Sequence, residues 1–207
     1  MNIKTLNTGG FETAILAMRN PMNSWDKSDS KLIGKENSPL WFEIGENDKE
    51  LSIKLQKAGP EHCKHLRMIY VWAEINAPRF WWNEFDTYRF GVDKVSCSTM
   101  HKLMARPLTE DDFEHDCIDD ELFKLTIERL NLEMKRYKLE QDPEEKKKIW
   151  RGIIEFLPQS YLQKRTVCMS YASIRNIVKQ REGHKLVEWS QFIDWAHALK
   201  NSWMIFE

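Results

Sequence analysis

The sequence lacks an excess of charge of either sign. Its 31 Lys and Arg stand against 32 Asp and Glu, for a formal net charge of -1. That balance argues against a general binder of DNA or RNA duplexes, which carries a basic excess or patch. It leaves room for a single nucleotide, which needs only a few well-placed cations. No apolar run approaches the length that spans a bilayer, and Met1–Gly10 lacks the apolar core of a signal peptide. The expectation is a cytoplasmic protein with no membrane partner. The four cysteines, Cys63, Cys97, Cys117 and Cys168, include no CxxC pair. Neither a zinc site nor a disulfide framework is expected, and each thiol reads as free and mostly buried. Internal repeats and low-complexity stretches are also missing, and 207 residues suffice for one domain with a real core, taken as 1–207.

What the chain does have is aromatic surface, with nine tryptophans that suit a core, a subunit interface or a ring-stacking pocket. Residues 11–19 predict a short helix, and 20–46, rich in Asn, Ser, Asp, Gly and Pro, predict a loop. Residues 48–58 are ambiguous. Leu51, Ile53 and Leu55 alternate like a strand, while Leu51, Leu55 and Ala58 fit a helical stripe that ends at Gly59-Pro60. Residues 68–75 predict a buried strand, and a shorter one is expected near 88–95. Phe123, Ile127, Leu130, Met134 and Tyr137 mark one face of a helix over about 119–140. Asp142, Pro143 and Glu145 supply the N-cap, the N1 proline and the capping-box acid of the next, 143–156. Helices at about 169–182 and 186–199 close the chain. The fold class is α+β, mostly helical with a small, mainly antiparallel sheet.

Three segments carry chemistry. In 77–89, aromatic rings crowd Glu84, Asp86 and Arg89. Charges among rings are either a structural Arg–carboxylate pair or face a ligand. Ser96-Cys97-Ser98-Thr99-Met100-His101 is either a polar turn or a set of phosphate donors, with Cys97 a nucleophile if a base or cation activates it. In 170–181, Ser170, Ile174, Ile177 and Arg181 share a helix face. Arg181 either packs its stem on the core or binds a phosphate or pyrimidine edge. Lys146-Lys147-Lys148 reads as a solvated face. His62 and His65, spaced i,i+3 without a third ligand, read as polar surface or cofactor contacts, with no metal.

The order of these segments resembles the flavin-dependent thymidylate synthases, the ThyX family, over roughly residues 50–200. Ala77-Pro78 leads to Glu84-Phe85 at the family's Gln-Trp place, and Thr87-Tyr88-Arg89 stands at its Arg-His-Arg signature. Cys97, between Ser96 and Ser98, stands at the catalytic serine. After Leu157-Pro158, Ser170, Ala172-Ser173, Asn176 and Arg181 take the places of Asn, Arg-Ser, Asn and Arg on the family's helix. His184 comes one residue early, and Glu188 follows.

The resemblance implies a homotetramer that binds FAD and dUMP, with NADPH reducing the flavin and methylenetetrahydrofolate supplying the carbon. By position, Arg89, Ser96, Cys97, Ser98 and Arg181 would hold the nucleotide, Arg89, Ser96 and Cys97 taking the catalytic places. Tyr88, Ser173, Asn176 and His65 would contact the flavin, with Glu84 beside the base or flavin edge. The departures cut against activity: Thr87 and Tyr88 replace an Arg and a His, and a thiol replaces the hydroxyl. Each lost preorganised donor can raise the barrier by about 2.7–4 kcal/mol. The rival expectations are a non-catalytic descendant that binds nucleotide and flavin, and a helical protein whose Trp-rich surface serves partners.

Overall fold

The computed structural model describes residues 1–34 and 40–207. In chain order the regular elements are β1 (Asn2–Gly9), α1 (Phe11–Arg19), β2 (Lys31–Ile33), β3 (Trp41–Glu43), α2 (Glu46–Ala58), β4 (Tyr70–Pro78), α3 (Arg79–Phe85), β5 (Val92–Ser96), α4 (Thr99–Lys102), α5 (Asp120–Leu139), α6 (Pro143–Phe156), β6 (Leu162–Ser170), α7 (Tyr171–Arg181), α8 (Val187–His197) and α9 (Trp203–Phe206). The chain is thus mostly helical, with a four-stranded sheet in the order β1-β4-β6-β5 and a separate β2-β3 pair. Main-chain bonds flanking the strands, Tyr171 N to Ile69 O and Arg79 N to Tyr161 O, run β4 antiparallel to β6. Cys97 N to Lys164 O and Ser170 N to Gly91 O do the same for β5 and β6.

Two compact units divide the chain. One comprises Met1–Asn2, Ile75–Thr87 and Val95–Arg165; the other Ile3–Glu74, Tyr88–Lys94 and Thr166–Glu207.

In the first unit, α5 and α6 build a helical core. The predicted stripe is buried at Phe123, Ile127, Leu130 and Met134, against Ile149, Ile153 and Leu157, with Tyr137 packed at its edge. Asp119 caps α5 through Leu122 N at 3.0 Å, and Asp142 caps α6 through Glu145 N at 2.8 Å. The expected reciprocal bond comes from another acid: Glu140 Oε1 accepts from Asp142 N at 2.9 Å, and Glu145 pairs with Lys148 instead. Asn131 clamps one peptide, accepting from Leu108 N at 2.7 Å and donating to Leu108 O at 2.9 Å. On α3, Trp81, Trp82 and Phe85 are fully buried and pack ring against ring.

In the second unit, α1, α7 and α8 bury Ile15, Tyr171, Ile174, Ile177, Trp189 and Phe192. Gly10 sits at φ +95°, and a Cβ there would lie 2.1 Å from Met68 O, so only glycine fits.

The ambiguous segment is helix α2, and the reason it is hard to read is now visible. Its buried residues are Asp48, Ser52 and Gln56, a polar stripe at helical spacing. Asp48 pairs with Arg19 Nε at 2.5 Å and accepts from the hydroxyls of Ser28 and Ser30 at 2.6 and 2.5 Å. Burial opposes its charge, but those hydroxyls and Arg19 outweigh it and hold the carboxyl below its usual range. The same bonds order the predicted loop 20–46, which carries two 3-10 turns and the antiparallel pair Lys31↔Glu43 to Ile33↔Trp41; its residues 35–39 lie outside those described.

Three further expectations change. The predicted strand 68–75 starts later and runs through Ala77-Pro78, and that near 88–95 begins only at Val92. The thiols are all free, yet of the four only Cys63 is buried.

Candidate functional site

In the first unit, a cavity of about 430 Å³ has Ser96, Cys97 and Ser98 on its wall with Arg79, Asn83 and Arg165. Its wall is rigid where β6 holds it. Cys97 N donates to Lys164 O at 2.9 Å, and Gln163 Nε2 donates to Cys97 O at 3.0 Å. Ser98 Oγ caps α4 by accepting from His101 N at 3.2 Å. Arg165 is fixed on three sides. Nη1 meets Asp86 Oδ1 at 2.8 Å, Nε and Nη2 share Gln163 Oε1 at 3.0 and 2.8 Å, and the guanidinium lies 4.2 Å from the centre of the Trp82 ring. Arg79 is tethered through Nη1 to Leu157 O at 3.0 Å. Two guanidiniums, two hydroxyls and a thiol on one wall suit a phosphate or the polar edge of a base.

Ser96, Cys97 and Ser98 thus share one wall, and Cys97 is exposed. The cations that join them, Arg79 and Arg165, escape the sequence reading. Of the two readings of 77–89, the Arg–carboxylate pair is found at Asp86, with Arg165 from outside the segment as its partner. Arg165 lies 79 positions away along the chain, beyond any local pattern. Glu84 is half-buried on α3, and its carbonyl accepts from Thr87 Oγ1 at 2.7 Å.

The second unit holds the other predicted residues. Arg181 Nε donates to the Tyr88 hydroxyl at 2.8 Å, and its guanidinium lies 4.3 Å from the centre of the Trp189 ring. Its cation thus rests on aromatic faces at the end of α7. Ser173 Oγ donates to Phe90 O at 2.7 Å and lies 2.7 Å from Ser170 Oγ. Both hydroxyls press on Gly91, whose φ is +64° and whose Cβ would fall 2.6 Å from Ser173 Oγ. Ser173 therefore anchors the 90–91 turn, and on that turn Phe90 is 96% exposed, beside an exposed Arg89.

A cavity of about 390 Å³ in the second unit is walled by Gln56, Cys63, Arg67, Arg175, Asn176 and Lys179 among others. Asn176 lines it as an exposed residue. His65 is 3% exposed and bonds through Nε2 to Ser52 Oγ at 2.8 Å. Burial pushes its pKa down to about 4, so the ring is neutral near pH 7. His65 is accordingly a buried histidine, without the open face a flavin contact requires. Burial also pushes the Cys63 thiol up.

No protein-family model matches the chain, and no curated protein matches it in sequence. Its fold nevertheless matches solved structures of a flavin-dependent thymidylate synthase. The crystal structure of ThyX from Helicobacter pylori complexed with FAD and dUMP superposes with a TM-score of 0.74 at 17% identity, covering 99% of this chain and 98% of that one. A second structure of the Helicobacter pylori protein with FAD and dUMP gives 0.71 at 16% identity, covering 100% and 98%. At these identities the likeness is one of fold.

Proposed function

We propose that this chain is a divergent ThyX-type protein that binds FAD and a deoxypyrimidine monophosphate such as dUMP and carries out reductive one-carbon transfer to the pyrimidine. The observation that carries this reading is the first unit's cavity. Its Ser96-Cys97-Ser98 wall, which stands at the family's catalytic serine, meets the held guanidinium of Arg165, inside a fold that matches ThyX from end to end.

The residues present fit a phosphate-bearing cofactor, because the second unit's cavity is lined by three cations and Asn176. In this reading Asn176 and its neighbours hold the flavin, and Ser96, Ser98, Arg79 and Arg165 grip the nucleotide. Arg181, bonded to Tyr88, is a further cation of the second unit. Reduced flavin bound there would supply the two electrons that turn a methylene unit into a methyl group. NADPH and methylenetetrahydrofolate are the co-substrates the reading requires. A homotetramer in the cytoplasm is its expected form; among the described residues no helix is long and apolar enough to cross a membrane. For the chain's own part, Cys97 would face the base and Arg165 would balance negative charge beside it.

A second reading is a descendant that binds both ligands without turnover. Thr87 and Tyr88 favour it. Where the family carries an Arg and a His, these side chains are engaged with Glu84 O and Arg181. Stopped-flow absorbance separates the two. Flavin bleaching by NADPH in the presence of dUMP, followed by dTMP formation with methylenetetrahydrofolate, supports the enzyme. Bound flavin that is never reduced leaves the binding protein. A protein that takes up neither FAD nor dUMP sinks both readings.

A further inference from the structure

Burying polar side chains is costly unless they bond to one another, and the second unit does so along one line. Arg175 Nη1 donates to Gln56 Oε1. Gln56 Nε2 donates to Ser52 Oγ at 3.3 Å, and Ser52 Oγ lies 2.8 Å from His65 Nε2. Ser52, Gln56 and His65 are 0%, 4% and 3% exposed. The polarity of the string's outer part follows from its members. Arginine can only donate, so the Gln56 oxygen faces it and the Gln56 amide nitrogen faces Ser52. Ser52 Oγ and His65 Nε2 share the next hydrogen bond, its donor set by the imidazole tautomer. The string ends on the guanidinium of Arg175.

That guanidinium stands on the wall of the 390 Å³ cavity together with Arg67 and Lys179, and no described lining residue is acidic. Glu61, close by in sequence, lies 3.4 Å from His62 Nε2. Arg175 keeps one further bond, Nη2 to Glu207 O at 3.3 Å, which leaves donors of its fork for a ligand.

We infer that this cavity binds the diphosphate of a nucleotide-type ligand, with Arg175 the chief contact and Gln56, Ser52 and His65 its positioning residues. The identification of that ligand as FAD rests on the proposed function; the diphosphate site does not. The string explains why α2 buries polar residues on the face where a helix ordinarily buries leucines. It also gives His65 a role that its lack of exposure denies it as a direct contact.

Isothermal titration of the full chain with ADP and, separately, with FAD tests this. Wild type should bind both, and Arg175→Ala should weaken both by tenfold or more, on the order expected for losing a charge-assisted fork. Ser52→Ala should weaken both about threefold to tenfold, and should have no further effect in the Arg175→Ala background, because it acts through that residue. A merely structural Ser52 would lower the melting temperature and leave both affinities unchanged. ADP bound with the predicted Arg175 dependence and no FAD uptake supports the diphosphate site and removes the flavin reading. FAD bound with an affinity that Arg175→Ala does not alter overturns the site and leaves the flavin reading standing. Binding of neither ligand by wild type overturns the site.

Discussion

Two helices of this protein bury opposite kinds of side chain. Helix α5 hides Phe123, Ile127, Leu130 and Met134, and helix α2 hides Asp48, Ser52 and Gln56. The first is held by removal of apolar surface from water, which is non-directional and tolerates adjustment. The second is held by bonds with fixed donors and acceptors, which fail when one partner goes. Helical periodicity shows in both, but only the apolar one is visible to a hydrophobic pattern. The difference separates a helix that supports the fold from one that also aims side chains.

The largest effect is expected at Asp48. Asp48→Ala leaves Arg19, 5% exposed, as a buried charge without its carboxylate, and should cost about 3–5 kcal/mol. Urea unfolding at pH 7 measures it, and a loss below about 1 kcal/mol would mean that water reaches Arg19 and the stripe is not buried in solution. Leu130→Ala, at a site 2% exposed, should cost about 3 kcal/mol through transfer and cavity terms. A much smaller loss in the same unfolding experiment would mean the α5 core collapses around the gap.

Acid should act on α2's side of the comparison through His65. The folded pKa of His65, about 4, lies below its ordinary value of 6.5, so the unfolded chain takes up the proton first. Its contribution is complete above pH 6.5 and is lost as pH falls from there toward 4. Between pH 7 and 4.5 this amounts to about 2–3 kcal/mol. Unfolding free energies of wild type and His65→Gln at both pH values isolate that share, and equal pH slopes for the two would refute it. The smallest effect is Asp142→Ala, which removes the bond to Glu145 N and should cost about 1 kcal/mol; it is read as a shift in the urea midpoint, and a shift near zero would assign the cap to Glu140 instead.

The legibility of the sequence follows the same division. Helices α1 and α6 occupy the predicted residues and α5, α7 and α8 fall within a residue or two of them, because apolar spacing and caps announce them. Strand β6 is not announced. Its Gln163, Lys164, Arg165 and Thr166 carry no apolar residue to signal a strand, yet two of these, Gln163 and Arg165, carry the bonds that shape the first unit's cavity. Ser96, Cys97 and Ser98, which share a cavity wall, are legible as a candidate because donors cluster in sequence. Arg79 was hidden among aromatics, and the Asp86–Arg165 pair joins residues that only the fold brings near. For His65 the residue type suggested a ligand contact, and burial assigns it to the interior.

The unit boundaries have a consequence for how this molecule can be made or remade. The chain changes unit after Asn2, Glu74, Thr87, Lys94 and Arg165, and the second unit needs three separated stretches. During synthesis that unit cannot close until Thr166 and the helices after it have left the ribosome, although Ile3–Glu74 emerge first. Neither unit exists as a contiguous cassette that can be cut out, swapped or expressed by itself, so a change of ligand preference must come from point substitutions and not from exchanging modules.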